Sequence, residues 1–321
     1  MKNESTSESL KAIANKANGK VGEMTKKSTE IVKKSKKAVY DAVDVNGDGQ
    51  VDIEDVILLA FKVPGVAVKR DVFLKQELMG KCSRENVDSV VEGRSLYEVI
   101  DTEKIDKIAK SIIQNERLKV SGISAALGTP GGAAMVATIP ADIAQYYGCL
   151  LRVAQKLMYL YGFSQIEYDL DGQCFDTETM NQIILCMGVM FGVANAKSGL
   201  LTLAKALGKG VEKKLINNFF INFLSIGLIN KALTKGTIYP IVKSVSKWFG
   251  VKMTKEVFAG FFKKAIPVVG GVIGGGLSYA TFKPCCERLK NVLKDTYLSN
   301  PNYEENEEEL EILDVAYESV E

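Results

Sequence analysis

The chain has 321 residues, 46% of them hydrophobic, and a formal net charge of +2. That apolar share suffices to bury one large core or two modest ones, and it excludes disorder over the whole length. Histidine is absent altogether, which removes Ser-His-Asp and Cys-His relays and the usual nitrogen ligands of zinc or non-haem iron.

The small net charge hides segregation. Residues 1–40 carry ten Lys against four Glu, residues 301–321 carry nine acidic groups and no base, and Lys197 to Lys264 holds thirteen Lys and two Glu. Arg is missing from 153 to 287, so partners meet local, lysine-dominated fields. No apolar signal core follows the N-terminus, and the expectation is a cytoplasmic protein with reduced thiols. None of Cys82, Cys149, Cys174, Cys186, Cys285 and Cys286 forms a C-x-x-C pair. Cys149 and Cys186 lie in apolar helical runs and read as small buried hydrophobes; the vicinal pair Cys285 and Cys286 has a second reading as a thiol-reactive site.

Residues 1–30 form a basic arm with a weak apolar stripe through Leu10, Ile13, Ala17 and Val21. It reads either as a solvated, partly disordered segment or as a helix on anionic lipid, and few bulky residues line it, so its own membrane binding should be weak and salt-sensitive.

Residues 31–65 carry the sharpest chemical motif, DVNGDGQVDIED from Asp44 to Asp55. A twelve-residue calcium loop needs oxygen ligands at positions 1, 3, 5, 7, 9 and 12, with Gly at position 6 for the sharp turn. Asp44, Asn46, Asp48, the carbonyl of Gln50, Asp52 and Asp55 meet those positions, and Gly49 falls at the turn. Helical flanks are expected from about Ile31 to Ala42 and from Ile53 to Phe61. Asp55 stands where most EF-hands carry Glu, and a shorter carboxylate reaches an ion less easily through both oxygens. In this the loop resembles those of dockerin modules and bacterial EF-hand-like proteins. Only one such loop is visible, so it either packs on the following domain or meets a copy in another subunit. The lookalike DLDGQCFD at Asp169–Asp176 has its glycine out of register and reads as a polar loop.

Residues 66–299 read as one helical domain. Leu96, Val99, Ile100, Ile105, Ile108, Ala109 and Ile112 mark amphipathic helices at its start. Pro140 reads as a first helical position with Asp142 as a first-turn carboxylate, and Ile143, Tyr147, Leu150, Leu151, Ala154, Met158 and Tyr161 continue a buried face. Glycines at four-residue spacing, Gly188 and Gly192, Gly270 and Gly274, Gly271 and Gly275, suggest close helix packing in water or in a bilayer. No run gives a convincing spanning helix, which leaves a soluble bundle, a reversibly inserted hairpin and a spanning segment as three readings. Trp248 and Phe249, flanked by Lys247 and Lys252, read either as an interfacial patch or as a packed aromatic pair. The tail, 300–321, is acidic and can screen the basic surface.

The glycine-rich run at Gly128, Gly131 and Gly132, followed by Pro140, Asp142, Arg152, Tyr161 and Gly162, resembles the signature of the EcsC family, and AIPVVGGVIGGG from Ala265 to Gly276 resembles a second block. The resemblance covers roughly residues 80–295. It is associated with an ABC exporter locus and implies no established catalytic activity. The expected fold is all-α: a bundle of closely packed, glycine-rich helices preceded by a single EF-hand-like helix-loop-helix. The expected function is non-enzymatic: calcium binding with peripheral association to the cytoplasmic face of a bacterial membrane, an anionic surface being the partner. The alternative is a soluble scaffold that docks a protein through the dockerin-like loop. Nucleic acid is not expected, because no binding module and little Arg are present.

Overall fold

The computed structural model describes residues 41–47, 49, 51–127, 134–168, 175–208, 238–249, 270–300 and 302–303. Among them every named element is a helix, as the periodicity demands. In chain order these are α1 (Ile53–Phe61), α2 (Arg70–Leu78), α3 (Arg84–Val91), a 3₁₀ turn (Leu96–Glu98), α4 (Thr102–Leu127) and α5 (Ala134–Leu160). They are followed by α6 (Thr177–Phe191), α7 (Ala196–Gly208), α8 (Ile238–Trp248) and α9 (Gly270–Lys294).

The core is built on the two long helices α4 and α5, which pack on each other and on α9. Ile105, Ile108, Ala109, Ile112, Ile113 and Val120 supply the α4 face. Opposite them Ile143, Tyr147, Leu150, Leu151, Ala154, Leu157 and Met158 supply the α5 face at three- and four-residue steps. Phe282, Cys286, Leu289 and Leu293 close the group from α9. On its other side α6 packs against α7, α8 and α9, and α1 lies along α5.

Helix ends follow sequence chemistry. Gly162 (φ 93°) ends α5: its N–H and that of Phe163 turn back to the carbonyls of Tyr159 and Met158, the Schellman arrangement that a left-handed glycine permits. Gly192 (φ 71°) ends α6 the same way, and Asp176 begins that helix by accepting the Thr179 N–H at 2.9 Å. Asp176 therefore has a capping role at the end of the lookalike loop, whose residues 169–174 lie outside the described ones.

Several expectations change here. Helix α5 begins at Ala134, so Pro140 lies inside the helix and Asp142 is past its first turn. A proline N–H missing from the helix interior is an added cost, but the helix runs through it and the following apolar face provides the packing that compensates. Gly188 and Gly192 do not form one small-residue stripe. At Gly188 a Cβ would come within 2.8 Å of Ala196 Cβ and 2.9 Å of Val245 Cγ1, so α6 does approach α7 and α8 closely there, whereas Gly192 is a helix stop. Phe249 is only 1% exposed and stands edge-on to Phe191 at 5.3 Å, so it belongs to the core, and Trp248, half-buried, packs against that core beside it. Among the described residues no helix is long and apolar enough to cross a membrane.

The thiols divide as composition suggests. Cys149, Cys186, Cys285 and Cys286 are buried. Burial pushes each of them above the ordinary thiol value, Cys186 up to about 12, and Cys285 rises despite the neighbouring Arg288 guanidinium. A raised thiol is protonated and a poor nucleophile, so the vicinal pair has no thiolate character.

Candidate metal centre

The stretch from Asp44 to Asp55 folds as a tight loop between a helical end at residues 41–43 and the start of α1. Gly47 and Gly49 take φ of 73° and 82°. Gly49 thus adopts the left-handed backbone that the sixth position of such a loop requires and that L side chains resist. The Asp44 carboxylate organises this turn: Oδ1 accepts the Gly47 N–H at 2.8 Å and Oδ2 accepts the Gly49 N–H at 2.9 Å.

The other end of the loop is a reciprocal cap. Asp52 is the N-cap of α1, and its Oδ1 accepts the N–H groups of Glu54 and Asp55 at 2.8 and 3.4 Å. Asp55 returns the bond, Oδ2 accepting the Asp52 N–H at 3.1 Å. Its Oδ1 reaches across the loop to the N–H groups of Val45 at 2.8 Å and Asn46 at 3.1 Å. One carboxylate thereby ties both ends of the loop together. Asp55 is 0% exposed, and burial pushes its carboxyl above the ordinary aspartate value against the pull of the three backbone donors.

These residues fit a hard divalent cation in donor chemistry and in backbone shape. A carboxylate oxygen has two lone pairs, so both Asp44 oxygens keep one and Asp55 Oδ2 keeps one, while Asp55 Oδ1 is saturated. Asp55 can therefore offer one oxygen, as its short side chain suggests. Asp44, Asn46, Asp52 and Asp55 are brought to one loop. Asp48 and Gln50 lie outside the described residues. Among the described residues no three acidic side chains converge as a ready-made cage.

The loop is seated directly on the core. Ile53, Ile57 and Ala60 of α1 are fully buried, and Val43 before the loop is too. Gly148 of α5 makes room for this contact: a Cβ there would meet Val66 Cγ2 at 2.8 Å and the Ala60 carbonyl at 3.6 Å. Beyond α1 the chain is held by polar groups of α5. Gln155 donates to the Val66 carbonyl at 2.9 Å and accepts the Val68 N–H at 3.0 Å, and Arg152 donates to the Gly65 carbonyl at 3.3 Å. Phe61, at the end of α1, stacks edge-on to Phe175 at 4.7 Å and tilts against Tyr168 at 5.2 Å.

No family model, curated protein or solved structure matches this chain. The geometry of the loop and of its seat is therefore what bears on function.

Sequence reasoning missed the second charged centre, Glu116. This carboxylate is 1% exposed and meets Arg152 at 2.8 Å, Lys156 at 2.9 Å and Lys119 at 3.0 Å. Burial works to raise its pKa, but the Lys156 hydrogen bond and the Lys156 and Arg152 charges outweigh that and hold it below the ordinary glutamate value. A signal was present: Glu116 falls in register with Ile112, Ile113 and Val120 on the apolar stripe of α4. A charged residue on such a stripe demands a partner from the facing helix.

A cleft of ≈ 730 Å³ opens elsewhere, beside Arg70, Ser95, Gln165 and Tyr297. Arg70 there donates to the carbonyls of Phe163 (3.0 Å), Val91 (2.7 Å) and Val90 (3.1 Å), which caps α3 and pins the loop after α5. Its role is structural.

Proposed function

We propose that this chain is a non-enzymatic, calcium-binding EcsC-like protein that associates peripherally with the cytoplasmic face of a bacterial membrane. The observation that carries the calcium reading is the pairing of Gly49 at φ 82° with an Asp44 carboxylate that accepts the Gly47 and Gly49 N–H groups. Asp44, Asn46, Asp48, Gln50, Asp52 and Asp55 would hold the ion, with Asp55 contributing one oxygen. The ion would supply positive charge to a loop that buries the Asp55 carboxylate and carries Asp44 and Asp52 along the same short stretch. The absence of histidine supports the non-enzymatic reading.

Three of these loop residues have a further part. Asp55 holds the loop closed and starts α1; Asp52 caps α1; Asp44 sets the turn. Ordering the loop therefore orders α1, and α1 is the element packed on α5. The scaffold alternative has the dockerin-like loop dock a protein partner; with Ile53, Ile57 and Ala60 covered within this chain, such a partner would meet the loop and not the buried face of α1.

The test is calcium titration of the full chain by calorimetry, paired with co-sedimentation on anionic vesicles in calcium and in chelator. The reading expects saturable calcium binding that Asp44→Ala abolishes, and vesicle binding that changes with it. Binding of calcium without Asp44 would remove the loop assignment. Sedimentation of wild type and Asp44→Ala alike, with and without calcium, would remove the coupling to the membrane.

A further inference from the structure

Three cations converge on one buried carboxylate where α4 faces α5. Arg152 Nη2 lies 2.8 Å from Glu116 Oε2, and Lys156 and Lys119 Nζ lie 2.9 and 3.0 Å from Oε1. Neutralising Glu116 takes one positive charge, so the cluster holds two in excess. Among the described residues no other carboxylate lies within ion-pair distance of these three side chains. Part of that excess sits where water solvates it poorly, since Arg152 and Lys156 keep only 18% and 21% of their side-chain exposure, while the Lys119 charge lies at the solvent side. Like charges held together in such a place repel at reduced screening, and an anion that shares them lowers the energy of the site.

The donors are divided in a useful way. Arg152 is locked in place: besides Glu116 it donates to the Gly65 carbonyl at 3.3 Å and to Cys149 Sγ at 3.5 Å. Lys156 lies over the Phe73 ring at 5.9 Å from its centroid and, like Lys119, gives Glu116 one hydrogen bond. An ammonium has three N–H donors, so each lysine retains donors for a second acceptor. Lys119 is 58% exposed and opens the cluster to solvent.

We infer that Lys119, Lys156 and Arg152, mounted on Glu116, form a binding site for a phosphate oxyanion. A phosphate monoester carries about −1.5 to −2 charge at neutral pH and three strong acceptor oxygens, which matches an excess of two charges and the unsatisfied lysine donors. Lysine binds such a group as a point charge and needs no planar fork. The phosphate belongs either to a lipid headgroup or to a soluble phosphate compound. The inference rests on the membrane reading only for that choice of source.

The experiment uses the full chain in two arms. In the first, inorganic phosphate binding is followed by calorimetry at constant ionic strength against sulfate and chloride, for wild type, Lys119→Gln and Lys156→Gln. In the second, the same proteins are sedimented with phosphatidylcholine vesicles with and without phosphatidic acid. The site predicts phosphate binding that each substitution weakens about tenfold or more, the loss expected for a charge-assisted hydrogen bond. Lys119 is exposed, so its variant folds and keeps the test decisive if Lys156→Gln does not. No phosphate binding by wild type, or equal binding by wild type and Lys119→Gln, overturns the site. Lysine-dependent phosphate binding without vesicle binding assigns a soluble source, and the membrane reading falls while the site stands. Vesicle binding that the substitutions leave unchanged separates the two readings: the membrane reading stands, the lipid headgroup is excluded as the source, and the site is then decided by the phosphate arm, falling if that binding is also unchanged.

Discussion

Asp55 serves the fold and is a proposed ligand of the ion, and two substitutions separate these duties. Its carboxylate accepts three backbone N–H groups, from Val45, Asn46 and Asp52, at 2.8, 3.1 and 3.1 Å. In Asp55→Asn the amide oxygen can still serve Val45 and Asn46, while the amide nitrogen faces the Asp52 N–H, donor against donor. The substitution loses one hydrogen bond and the charge on two others, but it also relieves the burial of an ionised group. A net cost of about 1 kcal/mol without calcium is expected. Asp55→Ala leaves all three donors without an acceptor and removes half of the capping box, for about 3 kcal/mol. Calcium behaves differently, since both variants remove the ligand charge and should weaken binding about tenfold or more.

The assay is urea unfolding of the full chain followed by circular dichroism, in chelator and in calcium. An ion that binds the folded state stabilises it by about 2.7 kcal/mol at a hundred times its Kd. Wild type should gain that amount, and Asp55→Asn should gain little although its metal-free stability is nearly intact. A calcium gain in Asp55→Asn equal to that of wild type would refute the assignment of Asp55 as a ligand. The pH dependence carries a second check. Burial raises the Asp55 pKa in the folded chain, so the protonated side chain is favoured by folding. Its contribution is fully present below the unfolded aspartate value, near about 3.9, and is lost as pH rises through the raised folded value. Asp55→Asn should lack that part of the metal-free pH profile.

Three further outcomes follow from the core. Tyr161 is 4% exposed and its hydroxyl has no hydrogen-bond partner among the described residues, so Tyr161→Phe should stabilise the chain by about 1 kcal/mol in thermal unfolding; a loss of that size would reveal a partner for the hydroxyl. Gly148→Ala places a methyl 2.8 Å from Val66 Cγ2 and should cost about 1–3 kcal/mol while weakening calcium binding, because α1 is displaced from its seat; unchanged calcium affinity would show that the loop binds independently of α5. Glu116 has a depressed pKa, so its contribution is present above the unfolded glutamate value, near about 4.3, and is lost as pH falls through the folded value. Glu116→Gln should cost about 3 kcal/mol at neutral pH and flatten acid unfolding below that point, and an unaltered acid limb would argue against the ion cluster.

Local chemistry made some of this legible in the sequence and long-range partnership hid the rest. Helix α1 runs from Ile53 to Phe61 as expected, because Asp52 and Asp55 are caps whose partners lie within the same few residues. The apolar face of α5 from Ile143 to Tyr161 was equally clear, since burial there follows the helical period. Its start was not: the residues before Pro140 carry no charge and little periodicity, so the proline was the one available boundary mark, and it stands inside the helix. Trp248 and Phe249 pose the opposite problem. An aromatic pair among lysines has the same pattern on a membrane face as over a core, and it is Phe191 on α6, far away in sequence, that decides for the core. Glu116 and Arg152 lie 36 positions apart, and although Arg152 stands out in the sequence, nothing local pairs it with Glu116; only the meeting of the two helices does.

The loop and the charged cluster are joined through one side chain. From Asp55 the path runs along α1, through Ile53, Ile57 and Ala60, to the turn at Gly65 and Val66, where Arg152 holds the Gly65 carbonyl and Glu116 together. An ion that orders the loop favours α1 in its seat, and α1 in its seat favours Arg152 in the position from which it completes the cluster. If both proposed sites exist, they are linked, and linkage is reciprocal: whatever factor calcium applies to phosphate affinity, phosphate must apply to calcium affinity. Titrating each ligand in the presence of the other measures that factor twice. Equal factors above one would place the two sites on one conformational equilibrium, with the basic cluster as its output. A factor of one in both directions would mean that Arg152 keeps its position whether or not the loop is filled, and that the calcium loop acts on something other than the face formed by α4 and α5.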